Sequence, residues 1–77
     1  MGRKEVKMLL LRLKVEKLHD YNKVRSIRTN LLNLRGIHYV RITRDLGHVM
    51  IEYMEAVLSP KSIMEHLTDS GFKVNLY

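Results

Sequence analysis

The chain has 77 residues, no cysteine and a formal net charge of +6; it is long enough for one domain and excludes disulfides, thiolate metal ligands and a cysteine nucleophile. Hydrophobic residues make up 45% and charged residues 29%, which excludes a disordered chain, and no apolar run approaches the roughly 18 residues of a membrane span. We therefore predict a single domain over residues 1–77 with no membrane span, and expect it in the cytoplasm.

The first half of the chain predicts a strand followed by a helix. Over residues 6–16 the apolar side chains alternate with polar ones, which is typical of a strand with one buried face. From residue 21 the apolar spacing becomes helical, at Val24, Ile27, Leu31 and Leu34. This helix is predicted over about residues 21–35, and Gly36 is expected to end it.

The second half predicts two strands, a helix and a last strand. Segments 37–44 and 48–54 are rich in β-branched and aromatic residues, and the Asp and Gly between them favour a hairpin turn. Ser59-Pro60 predicts the start of a helix over about residues 60–70. In segment 72–77 apolar and polar side chains alternate again, which predicts a last strand. The order βαββαβ predicts an α+β, ferredoxin-like fold: a four-stranded antiparallel sheet with two helices on one face.

Several scaffold positions resemble a known family. They include Leu13-x-Val15, Leu18, Val24-x-x-Ile27-x-x-x-Leu31, Gly36-Ile37, Val49-x-Ile51-x-Tyr53, Ser59-Pro60 and Asp69-Ser70-Gly71-Phe72. This pattern resembles the heavy-metal-associated domain of soft-metal chaperones and metal-transporting ATPases over about residues 9–76. The resemblance implies the same ferredoxin-like fold.

The metal loop of that family is replaced in this chain. The family binds soft metal through a Gly-Met-x-Cys-x-x-Cys loop after the first strand, and the resemblance places Lys17 at the Gly, Leu18 at the Met, and Asp20 and Lys23 at the two Cys. Phe72 stands at the family's Gly-aromatic turn. We expect Leu18 to keep the packing role of the Met, Asp20 to cap the helix and Lys23 to be solvated. No thiolate site remains, so no cofactor is predicted.

Harder ligands offer an alternative metal site. His19 and Asp20 form a nitrogen and oxygen pair that suits a divalent transition metal, although His66 or a second chain would have to complete the site. His38 and His48 are expected to be scattered and need not converge with His19.

The open face of the predicted sheet is a candidate interface. It combines apolar side chains with a basic border, a combination that marks protein interaction surfaces. The candidate residues are Met8, Leu10, Arg12, Lys14, Tyr39, Arg41, Met50 and Met54. We predict a protein partner or a homodimer through this face.

Charge is unevenly distributed along the chain. Residues 1–44 carry twelve Lys or Arg against three acids, and residues 45–77 carry two against five, so the segments stand at +9 and −3. The basic segment allows nucleic-acid binding as an alternative, although the central strands offer no aromatic platform for bases. No phosphate loop, nucleophile elbow or carboxylate pair predicts an enzyme. The sequence therefore favours a non-catalytic protein-interaction or regulatory module.

Overall fold

The computed structural model describes residues 7–77. The elements are β1 (Met8–Val15), α1 (Tyr21–Leu32), β2 (Ile37–Thr43), β3 (His48–Met54), α2 (Pro60–Asp69) and β4 (Val74–Leu76), and a single 3₁₀ turn (Arg44–Leu46) joins β2 to β3. The strands form one antiparallel sheet in the order β2-β3-β1-β4. Within residues 7–77, no helix is long and apolar enough to cross a membrane.

A single core lies between the sheet and the two helices. The alternating positions of β1 and β3 point into it, and Ile27 and Leu31 of α1 and Ile63 and Leu67 of α2 close it from the other side with no exposed surface. Both helices bury their apolar stripe against the same side of the sheet, and within residues 7–77 no helix covers the opposite side. The predicted ferredoxin-like fold is confirmed.

The two helices begin at the predicted caps. The carboxylate of Asp20 accepts a hydrogen bond from the backbone N–H of Asn22 at 2.8 Å, which satisfies one free donor of α1. Ser59 and Ser62 form a reciprocal capping box at the start of α2, where Pro60 supplies the fixed φ of the first turn. Both predicted helix starts are correct.

The predicted element ends are less accurate. Helix α1 ends at Leu32 and not near residue 35, because Leu34 N–H turns back to the carbonyl of Leu31 in a tighter turn. A tight turn keeps an i, i+3 apolar pair on one side just as a helix does, so Leu34 still packs against the core. Gly36, with φ of +100°, therefore follows this turn and does not end the helix.

Strand β3 has the predicted bounds, whereas the remaining elements are shorter than predicted, and β4 ends at Leu76 and not at residue 77. Strand β1 covers 8–15 where 6–16 was predicted, and residue 6 lies outside the described residues. Strand β2 and helix α2 each end one residue early. Strand β4 begins at Val74 and not at residue 72, because Phe72 N–H is bonded to the carbonyl of Leu67 in the turn that ends α2.

A β-bulge interrupts the pairing of β2 with β3. Ile37 pairs with Tyr53 and Tyr39 pairs with Glu52, so His38 is an extra residue opposite the same stretch of β3. Its Nε2 lies 3.6 Å from Oε1 of Glu52. The bulge therefore brings His38 and Tyr39 together beside Glu52, which simple alternation does not predict.

Candidate functional site

The β1–α1 loop, at the place of the family's metal loop, buries one apolar side chain. Leu18 is 1% exposed and belongs to the core, in the apolar role predicted for it. Lys17 has φ of +57°, a left-handed conformation that is uncommon for residues other than glycine. The loop therefore adopts, at Lys17, the backbone conformation that favours glycine.

Asp20 and Lys23, at the two positions where the family has cysteines, carry opposite charges but do not form an ion pair. The Asp20 carboxylate is committed to the first turn of α1, and among residues 7–77 no ion pair joins it to Lys23. Lys23 is exposed, as predicted. Nearby, the guanidinium carbon of Arg44 lies 4.0 Å from the ring centroid of Tyr21, so a cation–π contact joins the start of α1 to the β2–β3 turn.

The histidine and carboxylate ligands proposed for a metal are not gathered in one place. His66 Nε2 lies 3.2 Å from the carbonyl oxygen of Asn30, near the end of α1. Asp20 precedes the start of the same helix, and ten residues of helix span about 15 Å. Within residues 7–77 no three His, Asp or Glu side chains are grouped as metal ligands. His19 is exposed and has Asp20 as its sequence neighbour.

A pocket of about 330 Å³ lies between this loop and the α2–β4 turn. The loop and the first turn of α1 contribute Glu16, Lys17 and Lys23 to its lining, and the α2–β4 turn contributes Ser70, Gly71, the half-buried Phe72 and Lys73. The N–H of Glu16 donates to the carbonyl of Lys73 at 3.1 Å, which holds the two walls together. The position at which the family carries thiolates is thus flanked by lysine side chains.

The open face of the sheet places three strands in register. Arg12 of β1 and Arg41 of β2 both oppose Met50 of β3, so they flank it in one row across the sheet. With neighbouring strands about 4.8 Å apart, their Cα atoms are separated by about 10 Å. The row on one side consists of Leu10, Glu52 and Tyr39. The row on the other side consists of Lys14, His48 and Thr43.

The apolar members of the open face are partly accessible to solvent. Leu10 is 57% and Tyr39 51% exposed, while Met8, Met50 and Met54 are half-buried. Arg12, Lys14 and Arg41 are exposed beside them. The structure therefore brings all eight predicted interface residues onto one surface, which we call the open face.

The C-terminal tyrosine adds a wall to this surface. The Tyr77 ring stands edge to face on His48, with centroids 4.2 Å apart, and Tyr77 N–H donates to the carbonyl of Arg12. A cavity of about 230 Å³ lies beside them, lined by Arg12, Leu13, Arg41, Thr43, His48, Val49, Met50 and Tyr77. The predicted interface residues did not include Tyr77 or His48, although His48 was expected on the open face. No local pattern shows that the Tyr77 ring lies across β1 and reaches His48 of β3.

The basic groups of the open face form no ion pair with an acidic side chain of residues 7–77. Within residues 7–77, the ion pairs are Lys7 with Glu55, Arg44 with Asp45, and Lys61 with Glu65. None includes Arg12, Lys14 or Arg41. Because Glu52 is the one acid in the rows that contain these three basic groups, the surface presents an excess of positive charge to solvent.

Comparison with known proteins identifies relatives by structure alone. No family model matches the sequence, and no curated protein matches it. The putative copper-ion-binding protein from Bacillus anthracis str. Ames is 25% identical, with a TM-score of 0.85 over 92% of this chain and 100% of that one. Oxidized MerP from Ralstonia metallidurans CH34 is 13% identical, with a TM-score of 0.84 over 91% and 97% of the two chains.

A third solved structure is a domain of a transporter. The N-terminal domain of a potential copper-translocating P-type ATPase from Bacillus subtilis, in its Cu(I)-loaded state, is 18% identical, with a TM-score of 0.83 over 91% of this chain and 88% of that one. These neighbours confirm the resemblance to the heavy-metal-associated domain, and they establish the fold. This chain has that fold with no cysteine at all.

Proposed function

We propose that this chain is a non-catalytic interaction module that has the scaffold of a metallochaperone and binds an acidic polypeptide through its open face. The observation that carries the proposal is the row in which Arg12 and Arg41 flank Met50. Two guanidinium groups about 10 Å apart can each take a carboxylate, while the thioether between them accepts an apolar side chain.

Charge favours an acidic partner over a second copy of the chain. In a two-fold dimer each surface meets its own copy, so the arginines of one open face would lie over a surface of the same sign. Glu52 is the only acid in the rows around Met50, and it already faces His38. Like charges across an interface are unfavourable, whereas carboxylates of a partner would neutralise Arg12, Lys14 and Arg41.

The side chains of the central strands favour a polypeptide over a nucleic acid. RNA-binding sheets of this topology stack bases on aromatic residues of the two central strands. Here those strands present methionines, Leu10, Glu52 and the basic Arg12 and Lys14. The one ring among them, that of His48, is already in contact with Tyr77, so no aromatic platform for bases is present on these strands within residues 7–77.

The replaced loop supports a role other than metal delivery. Asp20 and Lys23 supply no soft ligand, and Asp20 is engaged in capping α1. The neighbours described above include metal-binding proteins, and this chain shares their scaffold. We propose that it uses that scaffold for binding a protein, which makes it an interaction or regulatory module.

A titration with acidic peptides tests this function. The probe is a short peptide with two glutamates around a leucine, added to the isotope-labelled full chain and followed by NMR. We expect amide shifts to cluster at residues 10–14, 39–43 and 48–52, and to disappear in the variant Arg12→Glu/Arg41→Glu. The matched control is Arg25→Glu/Arg28→Glu, which reverses two exposed charges on α1.

Three results would overturn the proposal. They are shifts spread over α1, tighter binding of a single-stranded oligonucleotide than of the peptide, and a stable dimer in sedimentation that the charge reversal on the open face dissociates. The second would assign the surface to nucleic acid, and the third to self-association.

A further inference from the structure

The pocket beside the replaced loop is lined by more basic than acidic side chains. Lys17, Lys23 and Lys73 line it, and Glu16 is its one acidic lining residue. Within residues 7–77 none of the three lysines forms an ion pair. The lining residues therefore carry a formal net charge of +2, and a concave site lined by one sign of charge favours ions of the opposite sign.

We propose that this pocket binds a small, doubly charged oxyanion of the phosphate class. Lysine is a point charge that suits phosphate oxygens, and three ammonium groups can approach one anion from different sides. The cavity of about 330 Å³ lies at the lower end of the range for small-molecule sites. The site is distinct from the open face and does not depend on the function proposed for it.

The backbone fixes the positions of the Cα atoms from which the three lysine side chains extend. Lys17 is held in the left-handed conformation directly after β1, and Lys23 lies in the first turn of α1. Lys73 is tied to the end of β1 by the hydrogen bond from Glu16. Three different segments thus bring their lysines to one pocket, at the end of the fold where the family resemblance places the metal ligands. Lys23 stands at one of the two cysteine positions of that resemblance, so the charge at this end of the fold suits an anion.

Phosphate titration of the full chain tests the proposal. Inorganic phosphate and pyrophosphate replace chloride at constant ionic strength, and NMR follows the amide and lysine side-chain signals. We expect saturable shifts confined to residues 16–17, 23 and 70–73. In the variant Lys17→Gln/Lys23→Gln/Lys73→Gln the apparent dissociation constant should rise about tenfold.

Two controls make the test specific. Lys61→Gln neutralises an exposed lysine of α2 and should leave phosphate binding unchanged, and Arg12→Glu/Arg41→Glu should leave it unchanged while altering peptide binding at the open face. Equal weakening by Lys61→Gln, or shifts that never saturate, would overturn the pocket without affecting the function proposed for the open face.

Discussion

The ring of Tyr77 meets the ring of His48 edge to face across the open side of the sheet, with centroids 4.2 Å apart and ring planes at 77°. Tyr77 is 68% exposed, so this contact contributes less than a buried aromatic pair would. Its position nevertheless links the C-terminal residue to the surface proposed for partner binding.

Replacing Tyr77 by alanine should expose His48 and lower the free energy of unfolding by about 0.5 kcal/mol. The direct readout is the pair of His48 ring-proton shifts, which should move toward those of an exposed histidine when the tyrosine ring current is removed. Tyr39→Ala is the control, since Tyr39 has no aromatic contact within residues 7–77. Unchanged His48 shifts in Tyr77→Ala would contradict the contact.

Gly36 and Gly71 both have positive φ but differ in the space around them. A Cβ at Gly36 would lie 2.9 Å from Cγ1 of Val57, whereas a Cβ at Gly71 would meet nothing within 4 Å. Gly71→Ala should therefore cost only backbone strain, about 1 kcal/mol, while Gly36→Ala adds crowding and should cost about 2 kcal/mol or more. Urea denaturation of the two variants measures the difference, and equal losses would show that Val57 does not crowd Gly36.

The backbone of Lys17 has a left-handed conformation, which residues with a side chain rarely adopt. Lys17→Gly should raise the free energy of unfolding by about 0.5 kcal/mol, because the relief of strain outweighs the added flexibility of glycine in the unfolded chain. Lys14→Gly, in the middle of the β1 pairing, should instead lower it by about 1 kcal/mol. A loss of stability in Lys17→Gly would contradict the positive φ.

The double variant Asp20→Cys/Lys23→Cys should restore a soft-metal site. It places two thiolates at the positions that the family resemblance assigns to the metal ligands, on the α1 start where Asp20 is the cap. We expect one Cu(I) per chain in competition with a Cu(I) chelator, and no chelator-resistant Cu(I) in the native chain. Asp20→Ser/Lys23→Ser, which keeps polar side chains without thiolates, is the control.

A separate titration tests the alternative metal site of His19, Asp20 and His66. Calorimetric titration of the native chain with zinc, nickel or copper(II) should give no heat above buffer, because His66 lies near the other end of α1 from His19 and Asp20. Binding that is abolished by His19→Ala would contradict the proposed loss of metal handling.

Much of the fold follows from local patterns in the sequence. Alternation of apolar residues predicted the inward faces of β1 and β3, and Asp20 and Ser59 marked both helix starts. The bulge at His38 could not be predicted, because the extra residue shows only in the pairing of β2 with β3. The early end of α1 was missed for a related reason: Leu34 stays apolar and half-buried in a turn as it would in a helix.

The candidate site was predictable in part. Alternation indicated which strand residues share the open face, and the structure places the eight predicted residues there. The contact of Tyr77 with His48 depends on how the Tyr77 ring lies in three dimensions and could not be predicted. The pocket of Lys17, Lys23 and Lys73 was missed because its residues come from three separate segments. The substitution of Lys17 for the family's glycine was the one sequence signal that pointed to it.

Site-specific photocrosslinking in the native cell tests the central proposal most directly. A benzoylphenylalanine at Met50 lies between Arg12 and Arg41, and one at Arg28 lies on the exposed side of α1. The proposal predicts a discrete crosslink from Met50 to an acidic segment of another protein, absent from position 28 and lost with Arg12→Glu/Arg41→Glu. Crosslinks that arise equally at both positions, that survive the charge reversal, or that join two copies of this chain would contradict it.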